Sequence, residues 1–393
     1  MITPGFLPVP AFKGGAVEVL IEELIRANEI ENKVDIDLYT IYDDGLKKVK
    51  FNNCNIIPVK VNWFNKLFSK VYNTFHKIVG EKGDIICPFG NSVNQLMKNK
   101  KYDYVIVQNN MKVFNSIKSK QNLIFHLHND ILDSDRTKYL CKKVIDESIC
   151  ILNVSKYLAN RMRSIKDSEK IKVLYNCVDF EIFDKNNVTI DTICEMRKKY
   201  DFRQENFIFM YTGRIAEEKG VLELIYAFKK LRKDYKNIKL IVVGQGWFGK
   251  NIMSDFERKL HNITKDMQND IIFTGFVEHN EIPPILALAD CIIIPSKWEE
   301  PFGVVALEAM AMAKPIIATK SGGLTEPIDN SCAIIIEKDE KMVDDLYKAM
   351  EKMYLNPELR KEYRENGYNR CHSIKEFDKD NYFDNFLRKS EIE

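Results

Sequence analysis

The sequence lacks a net charge, paired cysteines and long apolar runs, and each of these absences excludes a class of protein. Its 59 basic and 57 acidic side chains leave a net charge of 59 − 57 = +2. Nucleic-acid-binding domains usually carry a marked basic excess, so we expect no nucleic-acid partner. No run of about eighteen uncharged apolar residues occurs, so no membrane-spanning helix is expected.

The nine cysteines are scattered, and none belongs to a Cys-x-x-Cys pair. Neither a zinc site nor a thioredoxin-like redox site is therefore indicated. We expect reduced thiols, mostly in the core, in a cytoplasmic protein. The N-terminus MITPGFLPVP has no basic segment followed by an apolar one, so no signal peptide is expected.

The sequence does contain short apolar runs that alternate with helical patterns over 393 residues, a length that favours two domains. The runs are mostly continuous, which is typical of strands buried on both faces of a parallel sheet. Strands are predicted at 102–108, 122–128, 148–154, 172–175, 207–212, 239–243, 271–274, 291–295, 315–319 and 333–337. A clear helical period at 16–26 and similar patterns between the strands predict an α/β architecture.

A polar segment at 188–204 separates two series of strands and helices. We expect a Rossmann-like domain at 1–190 and a second one at 200–372, followed by an aromatic, charged tail at 373–393. The first residues resemble the end of a strand, although almost nothing precedes them. Either that strand is very short or the chain begins late.

Ligands of doubly wound sheets bind beyond the carboxyl ends of the strands, so binding residues are expected in the loops that follow the strands. After 207–212 come Gly213, Arg214 and Lys219, and then a helical pattern. A glycine turn, two cations and a helix N-terminus suit a diphosphate. The alternative is a solvated loop with surface charges.

Two other glycine pairs precede helical or loop segments. Gly244 and Gly246 follow the strand at 239–243, where glycine lets a ligand approach the backbone, but the third glycine of the dinucleotide fingerprint is missing. Gly14 and Gly15 open the first helix and form either a second phosphate-facing helix start or a plain turn.

The segment KWEEPFGVVALEAMA at 297–311 places two carboxylates around a Pro-Phe-Gly turn. Glu300 can accept hydrogen bonds from sugar hydroxyls, and Glu308 can hold the two hydroxyls of a ribose. The N–H groups of Phe302, Gly303 and Val304 are expected to point out of a helix start towards the same cleft. The alternative gives Glu300 an exposed position and Glu308 a structural one.

Together these residues resemble the retaining glycosyltransferases of family four, over nearly the whole chain. The specific part is the Glu-x7-Glu pattern of Glu300 and Glu308 with its flanks. The other matching segments are Gly14-Gly15, Ser155-Lys156, Asn176–Asp179, Gly213-Arg214, Lys219-Gly220 and Gly322-Gly323-x-x-Glu326.

The resemblance implies a GT-B fold: two Rossmann-like doubly wound domains facing across a cleft, with a C-terminal helix returning to the N-terminal domain. It implies a nucleotide-sugar donor as substrate, no other cofactor and no metal, since Arg214 and Lys219 match the cations that replace it. Glu300 matches the residue that contacts the donor sugar, and Glu308 the one that contacts the ribose. The base is read near Phe276 and Val277, largely through the backbone.

His126 and His128 alternate at the end of a predicted strand and so fall on one face. A metal site would need a third ligand, and none is indicated. In the family a histidine at this strand end lines the reacting centre, and His128 is the better match. The alternative is a structural role.

Residues 61–79 form an amphipathic helical pattern, with aromatic and aliphatic side chains on one side and lysines elsewhere. Such a helix either packs in the core with a solvated lysine face or contacts an anionic membrane that carries a lipid-linked acceptor. The second alternative would place the protein at the inner face of the membrane.

These observations favour a retaining glycosyltransferase that uses a UDP-sugar rather than a GDP-sugar and builds a surface polysaccharide on a saccharide or lipid-linked acceptor. Two alternatives remain: a catalytically silent GT-B partner subunit, and an NAD-dependent oxidoreductase.

Overall fold

The computed structural model describes residues 1–78, 85–118, 122–246 and 253–392. The chain divides into two compact units. Unit 1 consists of Met1–Asn176 together with Asp380–Glu393, and unit 2 consists of Cys177–Lys379.

Unit 1 is built on parallel strands with helices between them. Its strands are β1 (Ile36–Ile41), β2 (Cys54–Val59), β3 (Val105–Gln108), β4 (Leu123–Leu127), β5 (Cys150–Asn153) and β6 (Ile171–Val173). Its helices are α1 (Ala16–Glu31), α2 (Trp63–Ile78), α3 (Pro88–Leu96), α4 (Met111–Ser116), α5 (Asp135–Glu147) and α6 (Lys156–Ile165). Strands β3 to β6 lie side by side in chain order, and β1 pairs with β2.

The residues at the N-terminus join these two groups of strands. Ile2 forms parallel bridges with Tyr39 of β1 and with Val107 of β3. Its N–H donates to the Ile106 carbonyl at 2.8 Å, and its carbonyl accepts from the Gln108 N–H at 2.9 Å. Ile2 therefore occupies a strand position between β1 and β3.

The sequence patterns missed β1 and β2. Strand β1 includes Asp37, whose carboxylate accepts a hydrogen bond from Tyr102, so its polar positions hide the apolar alternation. Strand β2 contains Pro58, which removes a backbone donor. Because β2 pairs only with β1 among the described strands, proline is tolerated there at the edge.

Unit 2 has a sheet in which every described pairing is parallel. Its strands are β7 (Phe207–Thr212), β8 (Ile238–Val243), β9 (Ile271–Gly275), β10 (Cys291–Ile294), β11 (Ile316–Thr319) and β12 (Ala333–Ile336). Its helices are α7 (Ile190–Lys199), α8 (Val221–Asp234), α9 (Asp255–Ile263), α10 (Ile282–Leu288), α11 (Val304–Ala311), α12 (Met342–Leu355) and α13 (Pro357–Ser373). The strand order is β12-β11-β10-β7-β8-β9. The order reverses between β7 and β10, which makes this pair the topological switch point.

The boundary between the units lies upstream of the predicted position near residue 190. Val178 forms a parallel bridge with Asp378, and its N–H donates to the Phe377 carbonyl at 2.8 Å. Helix α7 packs against α10. The segment after β6 is therefore part of unit 2, which extends to Lys379 rather than ending at 372.

The end of the chain returns to unit 1 as helix α14 (Tyr382–Ser390). Tyr382, Phe383 and Phe386 are buried, and the Phe386 ring lies 6.4 Å from that of His126. The expected return of the C-terminal helix is thus observed, beginning at 380 rather than at 373.

The strands expected in both halves of the chain are confirmed within a few residues at each end. The nine cysteines are free thiols, and most of them are buried. Within the described ranges, no helix has both the length and the apolar character that a membrane span requires.

Candidate functional site

The loops after β7 and β10 meet at the switch point of the unit 2 sheet. The Lys297 N–H, in the loop after β10, donates to the Glu218 carbonyl, in the loop after β7, at 2.8 Å. Gly220 reinforces this contact, since a Cβ there would lie 1.8 Å from the Pro295 carbonyl oxygen. The two loops that follow neighbouring strands are therefore held against each other.

Lys219 and Glu300 form an ion pair across these loops. The Lys219 Nζ lies 2.8 Å from Glu300 Oε1 and 3.0 Å from Oε2. The exposed fractions of the two side chains are only 19% and 9%, so the pair is shielded from bulk water. The ammonium also lies 4.7 Å from the centre of the Trp298 ring, within the range of a cation–π contact.

Glu300 is fixed from several sides. Ser296 donates its hydroxyl to the same carboxylate oxygen, Oε1. The Glu300 N–H donates to the Ser321 hydroxyl at 3.0 Å, and its carbonyl accepts from the Gly323 N–H at 2.7 Å. A buried carboxylate is costly without such partners, and here they set its orientation.

Arg214, the second predicted cation, is paired with Glu218 four residues later. Its side chain is about one-third exposed, at 35%. The buried Tyr211 hydroxyl donates to the Arg214 carbonyl at 2.6 Å, which fixes the backbone of the turn. Burial raises the pKa of Tyr211, so that hydroxyl keeps its proton. Each predicted cation of the site is therefore matched by a carboxylate.

Glycine allows the loops after β7, β8 and β9 to approach closely. Gly244 has a φ of 130°, and a Cβ there would lie 2.0 Å from the Gly213 carbonyl oxygen. The Gly244 N–H donates to the Gly275 carbonyl at 3.1 Å. No larger residue fits at Gly244 without displacing backbone. Gly246 is tied down differently, by donating to Glu257 at 2.8 Å.

Helix α11 begins at Val304, and Gly303 is its N-cap. Gly303 has a φ of 98° and supplies no side-chain cap. The Phe302 side chain points into the core, where it meets Phe377 edge-on at 5.9 Å. No side-chain oxygen therefore caps this helix start, and its backbone N–H groups can donate to a ligand oxygen.

Glu308 lies inside α11, is buried, and has a partner that sequence patterns did not suggest. Its Oε1 lies 3.0 Å from the His279 Nε2. His279 in turn lies near the Phe183 ring, at 5.2 Å between ring centres. The structure therefore gives the Glu308 carboxylate a partner that is itself about half exposed.

The segment predicted to read the base follows β9. Phe276 is 40% exposed, and Val277 is partly buried. The space beside Gly275 is open, since a Cβ there would have no heavy atom within 4 Å. An exposed aromatic ring beside an open backbone segment can contact a planar group.

His128, predicted to line the reacting centre, belongs to unit 1 and follows β4. It is buried, and its Nε2 lies 2.9 Å from the Gln108 Oε1. The rings of His126 and His128 are 3.9 Å apart. Burial lowers the pKa of His128 to about 3 and that of His126 well below its usual range. Both imidazoles are therefore uncharged at neutral pH.

Gly14 and Gly15 also belong to unit 1, with φ values of 76° and 104°. Gly15 is the N-cap of α1 and offers no side-chain cap. The Glu18 carboxyl group occupies the space beside this helix start, since its Oε2 lies 2.2 Å from the position that a Cβ of Gly15 would take. Burial raises the pKa of Glu18 to about 7. Sequence patterns gave no sign of this carboxyl group.

The residues that the sequence missed are mostly partners of residues that it found. They are Glu218, His279, Ser296 and Ser321. Only Glu218 carried a local signal, as a carboxylate four residues after Arg214. Over the part of the chain that the structure describes, no group of three or more His, Cys, Asp or Glu side chains is arranged to hold a metal ion.

Residues 193–370, which lie within unit 2, match the family Glycosyl transferases group 1. The chain is 26% identical over 334 residues to the lipopolysaccharide 1,2-N-acetylglucosaminetransferase of Salmonella typhimurium, covering 83% of this chain and 80% of that protein.

Solved structures resemble the whole chain in fold. Anabaena Alr3699/HepE, in complex with UDP and glucose, has a TM-score of 0.74 at 18% identity and covers 100% of this chain and 99% of its own. A glycosyltransferase from Rickettsia africae has a TM-score of 0.77 at 20% identity, with 99% and 97% covered. The chain therefore shares the two-domain α/β fold of these solved glycosyltransferase structures, and its residues 193–370 match the glycosyl transferases group 1 family.

Proposed function

We propose that this chain is a retaining glycosyltransferase of family four, which transfers a sugar from a UDP-sugar to a saccharide or lipid-linked acceptor of a surface polysaccharide. The observation that carries the proposal is the shielded Lys219–Glu300 pair at the switch point of the unit 2 sheet. A ligand at this edge meets a cation and a hydroxyl-binding carboxylate side by side.

Lys219 and Arg214 neutralise the diphosphate of the donor, in place of a metal. Each now holds a carboxylate, Glu300 or Glu218. When the diphosphate binds, Lys219 and Arg214 donate some of their N–H hydrogen bonds to phosphate oxygens instead of to these carboxylates. The uncapped start of α11 at Gly303 and Val304 adds backbone N–H groups to the same task.

Glu300 and Glu308 select the donor through its hydroxyl groups. The Glu300 carboxylate keeps acceptor capacity for a sugar hydroxyl on Oε2, because Lys219 takes one of the two lone pairs of that oxygen. Glu308 accepts hydrogen bonds from both hydroxyls of the ribose, and His279 holds the Glu308 carboxylate in place. Phe276 and Val277 contact the base. HepE binds UDP, and this supports a uridine nucleotide as the donor here.

The reaction that we propose retains the configuration of the anomeric carbon. The bond from that carbon to the β-phosphate oxygen breaks, and the acceptor hydroxyl oxygen bonds to the same face. The proton of that hydroxyl passes to the leaving phosphate oxygen, so no separate general base is needed. Arg214 and Lys219 stabilise the charge that develops on the phosphate. For His128, which belongs to unit 1, a role near the transferred sugar stays a prediction from the family resemblance.

The first test is thermal unfolding with UDP, GDP, ADP and NAD in parallel, followed by turnover of UDP-sugars. A ligand at about a hundred times its Kd adds roughly 2.7 kcal/mol to the free energy of unfolding. We expect UDP to raise the Tm by several degrees. Glu300→Gln should lower turnover far more than it lowers the Tm, which falls because Lys219 loses its carboxylate partner.

The other outcomes separate the alternatives. A shift with NAD alone would favour the oxidoreductase and overturn the proposal. Binding of UDP without turnover of any UDP-sugar, in the presence of a range of saccharide acceptors, would favour a silent subunit.

A further inference from the structure

Helix α2 of unit 1 buries its polar face and exposes its apolar face, the reverse of an ordinary surface helix. Its large apolar side chains face outward: Trp63, Phe64, Leu67, Phe68, Val71, Phe75 and Ile78 are between 42% and 78% exposed. At 3.6 residues per turn these side chains cover a continuous arc of roughly 140°. Residue 79, the last of the predicted amphipathic segment, lies outside the described residues.

The buried side of α2 is polar, and each of its polar side chains is hydrogen-bonded. Asn65, Ser69 and Asn73, spaced four residues apart, are buried. Asn65 donates to Ser92 at 2.8 Å, Ser69 accepts from Asn91 at 2.8 Å, and Asn73 donates to the Ile86 carbonyl at 3.1 Å.

These hydrogen bonds fix which side of α2 faces the protein. Rotating the apolar arc inward would leave three amide and hydroxyl side chains without their partners, at about 1–3 kcal/mol each. The core alternative for this helix, raised by its sequence pattern, is therefore wrong for its apolar side. An exposed arc of this size on a soluble domain marks an interaction surface.

The Asp, Glu, Lys and Arg side chains within the sequence segment that contains α2 are of one sign. Between Asp44 and Glu81 the sequence has seven lysines and no acidic residue. Lys66 and Lys70 are exposed on the helix itself, beside the apolar arc. A second copy of the chain is a poor occupant, because a symmetric dimer through α2 would bring both sets of lysines together. An anionic surface fits both features.

We propose that α2 docks this protein on the surface of an anionic phospholipid bilayer, with the apolar arc inserted at the headgroup boundary and the lysines among the phosphates. A helix that lies in the interface has this composition: aromatic and leucine side chains on one face, and lysines beside them. Trp63 and the phenylalanines lie on the inserted side. The proposal is independent of the sugar-transfer chemistry.

The experiment is flotation of the full chain with vesicles of phosphatidylcholine, with and without phosphatidylglycerol, and without any nucleotide or sugar. We expect binding to the anionic vesicles and a blue shift of tryptophan emission that Trp63→Phe removes. Phe64→Ser/Phe68→Ser should weaken binding at least ten-fold. Lys66→Glu/Lys70→Glu should do so on anionic vesicles, since each lysine near such a surface contributes roughly five-fold.

The matched control is Ile30→Ser/Ile190→Ser, which removes two exposed isoleucines outside α2 that are 86% and 79% exposed. It should leave flotation unchanged. Unchanged Tm values would show that every variant is folded. The proposal is overturned if the wild type does not float with anionic vesicles, or if the phenylalanine and lysine variants float like the wild type. It is also overturned if α2 proves to join two copies, seen as a dimer in sedimentation that the phenylalanine variant dissociates.

Discussion

In unit 2 the carboxyl edge of the sheet carries ion pairs, whereas in unit 1 the corresponding edge carries buried, uncharged histidines. Lys219 and Arg214 are charged and matched by carboxylates. His126 and His128 have lost their charge to burial. The same kind of parallel sheet thus carries two kinds of side chain at its edge: paired cations in unit 2 and uncharged imidazoles in unit 1.

The largest effect should come from breaking the ion pair of unit 2. Lys219→Ala leaves the Glu300 carboxylate buried without its cation, which should cost about 3 kcal/mol of unfolding free energy. Transfer should fall by roughly 10³-fold, because a phosphate-stabilising group is lost. Denaturant unfolding and turnover of a UDP-sugar measure the two effects.

A double variant separates them. Lys219→Ala/Glu300→Gln should recover most of the stability but none of the turnover, since the uncompensated charge is gone and the site is still incomplete. Lys320→Ala is the control, because its ion pair with Glu337 is 64% exposed on both sides. A loss of stability as large in Lys320→Ala would contradict this account.

In unit 1, the buried carboxyl group of Glu18 should show the next largest effect. Its pKa is raised to about 7 by burial, from 4.5 when unfolded, so the folded chain binds the extra proton between these values. Stability is therefore lost as the pH rises through this window. Glu18→Gln should stabilise the protein by up to about 3 kcal/mol at pH 8 and by almost nothing at pH 4. If the difference in unfolding free energy between Glu18→Gln and the wild type is the same at pH 4 and pH 8, the stabilisation does not come from the protonation of Glu18.

The glycine contact of unit 2 should give a smaller loss of stability. Gly244→Ala combines a positive φ with a Cβ that meets backbone at 2.0 Å, and we expect it to cost roughly 2–3 kcal/mol. Gly275→Ala is the matched control, with a φ of 72° but open space around it, and should cost about 1 kcal/mol. Equal losses of Tm in the two variants would show that the positive φ alone causes the destabilisation, and that the close contact of Gly244 with Gly213 adds nothing to it.

The smallest effect concerns the histidines of unit 1. The pKa of His128 is about 3 in the folded chain and about 6.5 in the unfolded chain. Below about pH 6.5 the unfolded chain therefore binds a proton that the folded chain does not. Stability is present above this window and is lost as the pH falls, by about 2 kcal/mol between pH 7 and pH 5. His128→Asn should lack that part of the loss in unfolding measured at both pH values. If the pH dependence is the same in both proteins, His128 is not the group that titrates.

The same contrast explains how much the sequence could predict. The strands of unit 2 are mostly apolar runs, and the sequence pattern predicts each of them. The short strands β1 and β2 were missed, because Asp37 and Pro58 interrupt the apolar pattern. Candidate residues such as Lys219 and Glu300 were found because they follow strands, and parallel topology brings those loops together.

The partners of these residues could not be found in the same way. His279 reaches Glu308 from a loop twenty-nine positions upstream, and no local pattern links the two. Helix α2 shows a related limit. Its period reveals two faces, but which face turns inward depends on whether Asn65 and Asn73 meet partners on another segment. The contrast with α14, where Phe383 and Phe386 are buried, is set by tertiary contacts alone.

Helix α14 also has a consequence for synthesis on the ribosome. Chains emerge N-terminus first, and domains generally fold in that order. Here the core of unit 1 includes Tyr382, Phe383 and Phe386, which are translated after all of unit 2. Residues 1–176 are thus translated before unit 2, but their core is completed only after unit 2 has emerged. A chain released before residue 380 would leave the α14 docking surface uncovered and would be a target for chaperones and proteases.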